Sequence, residues 1–144
     1  MKTSIILAIA LAFSGIVPTH AQTTAPAKPA SAEPKAPAGV DPKLTSADPE
    51  YGYSQKKPIK VGSTDEFGGP LAERAYFNTL LDEAGKPVTF ERQGSFGAGP
   101  DGHILDGYKI RTSTGHEDLL YIDMYHPECD PKKQLAPKGF FKVK

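Results

Sequence analysis

The chain has 144 residues and balanced charge, 17 Lys and Arg against 17 Asp and Glu, with one cysteine and no tryptophan. That length favours one folded domain. Zero net charge removes the basic surface that nucleic-acid binding needs, and one cysteine excludes an internal disulfide and any multi-cysteine metal site.

Residues 1–21 read as a secretory signal peptide. Lys2 is the positive start, Ile5 to Val17 is a short apolar run, and Thr19 and Ala21 are the small residues a signal peptidase reads. The run is shorter than the ~20 apolar residues of a bilayer span. The chain is therefore expected in the periplasm or outside the cell, with no membrane span after cleavage. No cysteine follows the cleavage point, which excludes lipid attachment there. Cys129 is expected as a free or partly buried thiol in an oxidising compartment.

Residues 22–50 change composition. Six prolines alternate with alanines and lysines, and Val40 and Leu44 are the only large aliphatic residues. Such a segment buries too little apolar surface to offset the entropy of ordering it. It is expected as a disordered, semi-stiff Pro/Ala-rich linker. Residues 51–144 are expected as a single small domain.

Ile59 to Val61 alternates and predicts a short strand. Pro70 suits the first turn of a helix, and the apolar spacing predicts that helix over Leu71–Ala84, ended by Gly85. Val88 to Arg92 predicts a strand. Gly94 to Gly102 reads as a glycine-rich loop closed by the Asp101-Gly102 turn. Leu105 to Thr112 predicts a strand, with Tyr108 and Ile110 on one face. Thr114 to His116 predicts a turn, and Leu119 to Tyr125 a central strand. Phe140 to Val143 predicts a last short strand. Consecutive strands with short connections pair antiparallel. The expected fold is α+β, one antiparallel sheet of four to five strands with a single helix packed on one face.

The chemistry-bearing residues are dispersed. His103, Asp106, His116, Asp123, His126, Glu128 and Cys129 fall in the C-terminal half without a metal-ligand spacing, so no metal site and no cofactor is expected. Gly94 to Gly99 lacks the Lys-Ser/Thr pair and following helix of a phosphate loop. Ser95 lacks the Gly-x-Ser-x-Gly context of a hydrolase nucleophile. No catalytic residue is assigned. The tyrosines are the better signal, because Tyr121, Asp123 and Tyr125 are expected on one face of the central strand. Exposed tyrosines beside a carboxylate suit binding of protein or glycan. The candidate binding residues are Tyr121, Asp123 and Tyr125, with Arg74 and His126 nearby.

Several motifs carry a resemblance: Tyr51-Gly52-Tyr53, Pro58 to Gly62, Gly69-Pro70, Glu73-Arg74, Arg92 to Ser95, Tyr121 to Tyr125 and Ala136 to Phe140. In order and spacing the chain resembles a family of small exported bacterial proteins of unestablished function. Many of its members are labelled 2-dehydro-3-deoxyphosphooctonate aldolase. The chain departs from that pattern where similar proteins carry paired cysteines, since Phe96 and Gly97 stand there. The resemblance implies export and, by the label alone, a lyase. Enzymes joining phosphoenolpyruvate to a sugar phosphate use (β/α)₈ barrels of about 250 residues. A domain of about 94 residues with one predicted helix cannot supply eight βα units. The sequence therefore favours a non-catalytic cell-envelope binding domain, its partner an envelope protein or glycan. The alternatives are the lyase of the label or a small hydrolase.

Overall fold

The structure is a computed structural model that describes residues 36–63 and 68–143. The expected signal peptide and the first part of the expected linker lie outside the described residues. Within them no helix is long and apolar enough to cross a membrane.

The fold is α+β. Strand β1 (Ile59–Lys60) precedes one helix, α1 (Gly69–Phe77), and is followed by β2 (Leu80–Leu81), β3 (Thr89–Ala98), β4 (Ile104–Arg111), β5 (Glu117–Asp123) and β6 (Phe141–Lys142). Four strands form one sheet in the order β1-β5-β4-β3, and β2 pairs with β6 in a separate two-stranded ribbon. The β3–β4 and β4–β5 pairs are antiparallel, as their short connections require. Gly102 and Gly115 take positive φ in these two turns, which glycine adopts without steric cost.

The sheet is mixed where the sequence predicted an antiparallel one. β1 runs parallel to β5, with Ile59 opposite Ile122. The whole chain from α1 to β4 lies between these strands, long enough for the crossover that parallel pairing demands. The strand count holds, but Phe141–Lys142 joins Leu80–Leu81 rather than the main sheet.

The helix is shorter than predicted. It ends at Phe77, where Thr79 Oγ1 donates to the Tyr76 carbonyl at 2.6 Å. A threonine hydroxyl competes in this way for helix carbonyls. Leu80 then enters the core in an extended segment that pairs with β6. Gly85 does not end the helix. It sits in a tight turn organised by Asp82, whose carboxylate accepts from the Ala84, Lys86 and Ser113 N–H groups. Burial pushes Asp82 up, but these hydrogen bonds outweigh it and hold the carboxyl below its ordinary value.

The Gly94–Gly102 loop is also largely strand. β3 continues to Ala98 through two register shifts against β4. Gly94 and Gly97 have positive φ around these shifts, as bulged strands require. The extra length lays the Phe96 ring over Gly107, where a Cβ would come within 2.2 Å of the ring.

Residues 36–50 are not a free linker over their described length. A short 3-10 helix, Pro42–Leu44, is followed by a bridge from Thr45 to Ala136, and Val40 bridges to Val143. Val40 is buried. The two aliphatic residues that interrupt the Pro/Ala pattern mark the part of the segment that docks.

The core lies between α1 and the face of the sheet carrying Tyr108, Ile110, Leu120 and Ile122. Phe77 packs its ring 4.6 Å from that of Tyr108 and 5.2 Å from that of Phe90. Tyr51 and Tyr53 pack against this core rather than remaining exposed. Burial pushes the Tyr51 hydroxyl up to about 12. Lys142 is buried as well, donating to the carbonyls of Pro131, Lys132 and Gln134 with its ammonium 4.8 Å from the Tyr76 ring centre.

Two carboxyls face each other's surroundings at the polar end of this layer. Asp106 is bound by Arg92 and Ser95. Glu73 is buried on α1, where Oε2 accepts from the Tyr108 hydroxyl at 2.8 Å and Oε1 has no partner among the described residues. Burial pushes Glu73 up to about 7, and the Asp106 charge adds to this, while Tyr108, Arg92 and Arg74 oppose it. A folded value above the usual 4.5 means that the native state favours the neutral acid. Its stability contribution is full below about pH 4.5 and is lost as pH rises through about 7. The loss is of order 3 kcal/mol. Glu73→Gln, which mimics the neutral acid, is expected to flatten this decline. Urea midpoints of both proteins from pH 4 to 8 check it, with the variant gaining on the parent above pH 7.

Candidate functional site

β5 ends at Asp123, and the chain then folds back over the end of β1. The Asp123 carbonyl accepts from Val61 N–H, and Val61 in turn accepts from His126 N–H. The Gly62 N–H donates to the Cys129 carbonyl. This return brings His126 beside Asp123 despite Pro127, with no helix needed to align them. The Asp101-Gly102 turn delivers His103 to the same place from the head of β4.

Asp123 is 0% exposed. Its Oδ1 accepts from Tyr125 N–H at 3.1 Å. Its Oδ2 lies 3.1 Å from His103 Nδ1 and 3.1 Å from His126 Nε2. The other nitrogen of His126, Nδ1, lies 3.1 Å from Glu128 Oε1. Asp101 Oδ2 stands 3.4 Å from His126 Nε2 and is ion-paired with Lys60. The Lys60 ammonium holds the Asp101 carboxyl below its ordinary value, and Asp101 raises Lys60 in return. The Tyr125 ring, 48% exposed, sits 5.3 Å from the His103 ring.

The structure thus brings together three of the five residues predicted from sequence, Asp123, Tyr125 and His126. Tyr121 shares the outer sheet face with Asp123, but its ring packs edge-on against Phe96 at 5.3 Å. Tyr125 lies past the end of the strand, so its position follows from the return over β1 and not from strand alternation. Arg74 is exposed on α1, which packs over the opposite face of the sheet. It does not belong to this group. The sequence reading weighed His103 and Glu128 as metal-ligand types but set them aside for lack of spacing, and it did not single out Asp101 or Lys60 as site residues.

Two sets of side chains here offer ligand atoms within 4.8 Å of one another, His103 with Asp123 and His126, and His126 with Glu128 and Cys129. The second set also holds a thiol near an imidazole, the elements of a cysteine nucleophile. Burial pushes the Cys129 thiol up, and the Glu128 carboxylate pushes it further. Both effects disfavour the thiolate that would attack. Ser95 is engaged with Asp106 and Arg92 rather than with a histidine. On the outer sheet face an open groove of about 340 Å³ is lined by Gln93, Phe96, Lys109, Glu117, Asp118 and Leu119.

Compared with protein-family models, with curated proteins and with solved structures, the chain matches none. The resemblance to the aldolase-labelled family therefore rests on the quoted motifs alone.

Gly62 makes the close return possible. A Cβ there would meet the His126 carbonyl carbon and oxygen at 2.3 Å and Pro127 N at 2.6 Å. These are backbone atoms, which cannot swing aside as a side-chain end can. Gly62→Ala is expected to destabilise the fold by about 1–3 kcal/mol, the usual cost of overpacking. It should also shift the His126 ring resonances more than those of His116. Denaturant titration and proton–nitrogen NMR of the imidazoles check the two effects.

Proposed function

We propose that this chain is an exported, non-catalytic binding domain of the cell envelope that takes its ligand where Asp123, His103, His126 and Tyr125 meet. The observation that carries the reading is the buried Asp123 carboxylate beneath two imidazoles and an exposed tyrosine ring. A buried carboxylate of this kind is held in one orientation. The His103 ring is accessible, with 38% of its side chain exposed, while His126 is nearly buried beside it. A ligand therefore meets a prepared polar floor with an aromatic edge, which suits recognition of a polar group. The signal-peptide pattern and the Pro/Ala-rich segment support an exported, tethered setting. Glycans and envelope proteins are the partner classes that an aromatic and carboxylate pair fits.

The lyase reading gains no support from the fold. A (β/α)₈ barrel needs eight helices around eight parallel strands, and the described residues hold one α-helix and one parallel strand pair. A thiol hydrolase is disfavoured by the raised Cys129.

Thermal shifts of the full chain against cell-wall glycans, phosphoenolpyruvate, arabinose 5-phosphate and divalent metals test this reading. A ligand at 100 times its Kd adds about 2.7 kcal/mol, several degrees for a small domain. At least one compound is expected to raise Tm in the parent and to lose most of that effect in His103→Ala or Tyr125→Ala. Turnover of the two phosphorylated substrates, or shifts that survive both substitutions, would overturn the reading.

A further inference from the structure

The hydrogen-bonding of His126 has a chemical shortfall. Both of its ring nitrogens face carboxylate oxygens, Asp123 at Nε2 and Glu128 at Nδ1, each at 3.1 Å. A neutral imidazole has one N–H to give, and its other nitrogen is a lone pair. A lone pair against a carboxylate oxygen at that distance is repulsive, so one of the two nitrogens needs either a second proton or a cation between it and the oxygen. The surroundings are short of positive charge. Asp101, Asp123 and Glu128 converge here, and Lys60 is the ammonium paired among them. Three carboxylates gather around one ammonium, an acidic centre that a divalent cation complements.

The geometry fits such a cation. His103, Asp123 and His126 each offer a ligand atom within 4.8 Å of the others, and Asp123 Oδ2 is 3.1 Å from both His103 Nδ1 and His126 Nε2. Tetrahedral bonds of about 2.0–2.1 Å set neighbouring ligand atoms about 3.3 Å apart. The remaining contacts then assume supporting roles. The Tyr125 N–H holds Asp123 Oδ1 and leaves Oδ2 for the ion. Glu128 accepts from Nδ1–H of His126, the carboxylate–histidine–metal relay that orients a ligating imidazole.

We infer that His103 Nδ1, Asp123 Oδ2 and His126 Nε2 form a binding site for a first-row divalent transition ion of the zinc class. The inference rests on the binding reading above, and it names the ligand class that the centre takes. Two imidazoles and one carboxylate favour Zn²⁺, Co²⁺ or Cu²⁺ over Mg²⁺ and Ca²⁺, which prefer all-oxygen shells. Three protein ligands leave a fourth position; Asp101 Oδ2, 3.4 Å from His126 Nε2, and the exposed Tyr125 ring beside His103 are its neighbours. An ion with an open position can hold an anionic or hydroxyl-bearing partner, which links this site to a larger ligand.

The test uses the tag-free full chain, stripped with a chelator and titrated with Co²⁺ and then Zn²⁺. One equivalent of Co²⁺ is expected to develop the visible absorption of a four- or five-coordinate ion, and one equivalent of Zn²⁺ to erase it. Mg²⁺ and Ca²⁺ should do neither. His103→Ala, at a partly exposed position, should weaken binding at least tenfold, and His126→Ala at least as much. Glu128→Gln, outside the ligand set, should weaken it about tenfold. His116→Ala, on the far turn, should bind as the parent does. Circular dichroism of each variant separates lost ligands from lost folding. Absence of the cobalt spectrum in the parent, or parent-like affinity in both His103→Ala and His126→Ala, would overturn the inference. A glycan shift that depends on Tyr125, with no response to zinc, retires the metal and keeps the binding domain. No shift with any compound retires both.

Discussion

β5 is bonded along both edges, to β4 on one side and to β1 on the other. The rest of the molecule hangs from that. Its inward residues Leu120 and Ile122 anchor the core beneath α1, and its last residue is the buried Asp123. Because β1 lies parallel beside it, the Val61 amide and carbonyl beyond β1 are available to clasp the chain leaving β5. The same ladder that holds the sheet thus positions His126 over Asp123. A strand paired on one edge alone would end in a free tail.

Two of the buried carboxyls, Glu73 and Asp123, have contrasting surroundings. Glu73 has one hydroxyl partner and an orphan oxygen, and its surroundings push it toward the neutral acid. Asp123 has both oxygens occupied, by a backbone N–H and two imidazoles. The first arrangement favours a proton, and the second sets one carboxylate oxygen between two imidazole nitrogens. The candidate site lies at the end of β5, on the sheet face away from α1.

Much of the fold was legible. Alternation in Leu105 to Thr112 and in Leu119 to Tyr125, with turns at Asp101-Gly102 and Thr114 to His116, corresponds to β4, β5 and the hairpins between them. The misread parts have physical causes. Leu80 and Leu81 continue a helical spacing that Thr79 interrupts through its own hydroxyl, a local competition that periodicity does not register. The glycines of 94–99 signal a loop, yet they serve a bulged strand that wraps Phe96 onto Gly107. The parallel placement of β1 is a long-range choice without a local mark. At the site, Asp123 and His126 were visible as residue types, but the pairing with His103 depends on a turn in one hairpin meeting the end of another strand. Arg74 was expected near the strand residues, and the helix carries it to the other side of the sheet.

The docked part of the Pro/Ala segment joins the domain at Val40, against Val143, and again at Thr45, against Ala136. Entry and exit of the folded chain are therefore side by side. Tension applied through the N-terminal segment enters at Val40 and peels these two isolated bridges in succession. Neither bridge belongs to the four-stranded sheet. Fraying from this end therefore breaks two isolated bridges before it reaches β1 and the clasp over Asp123.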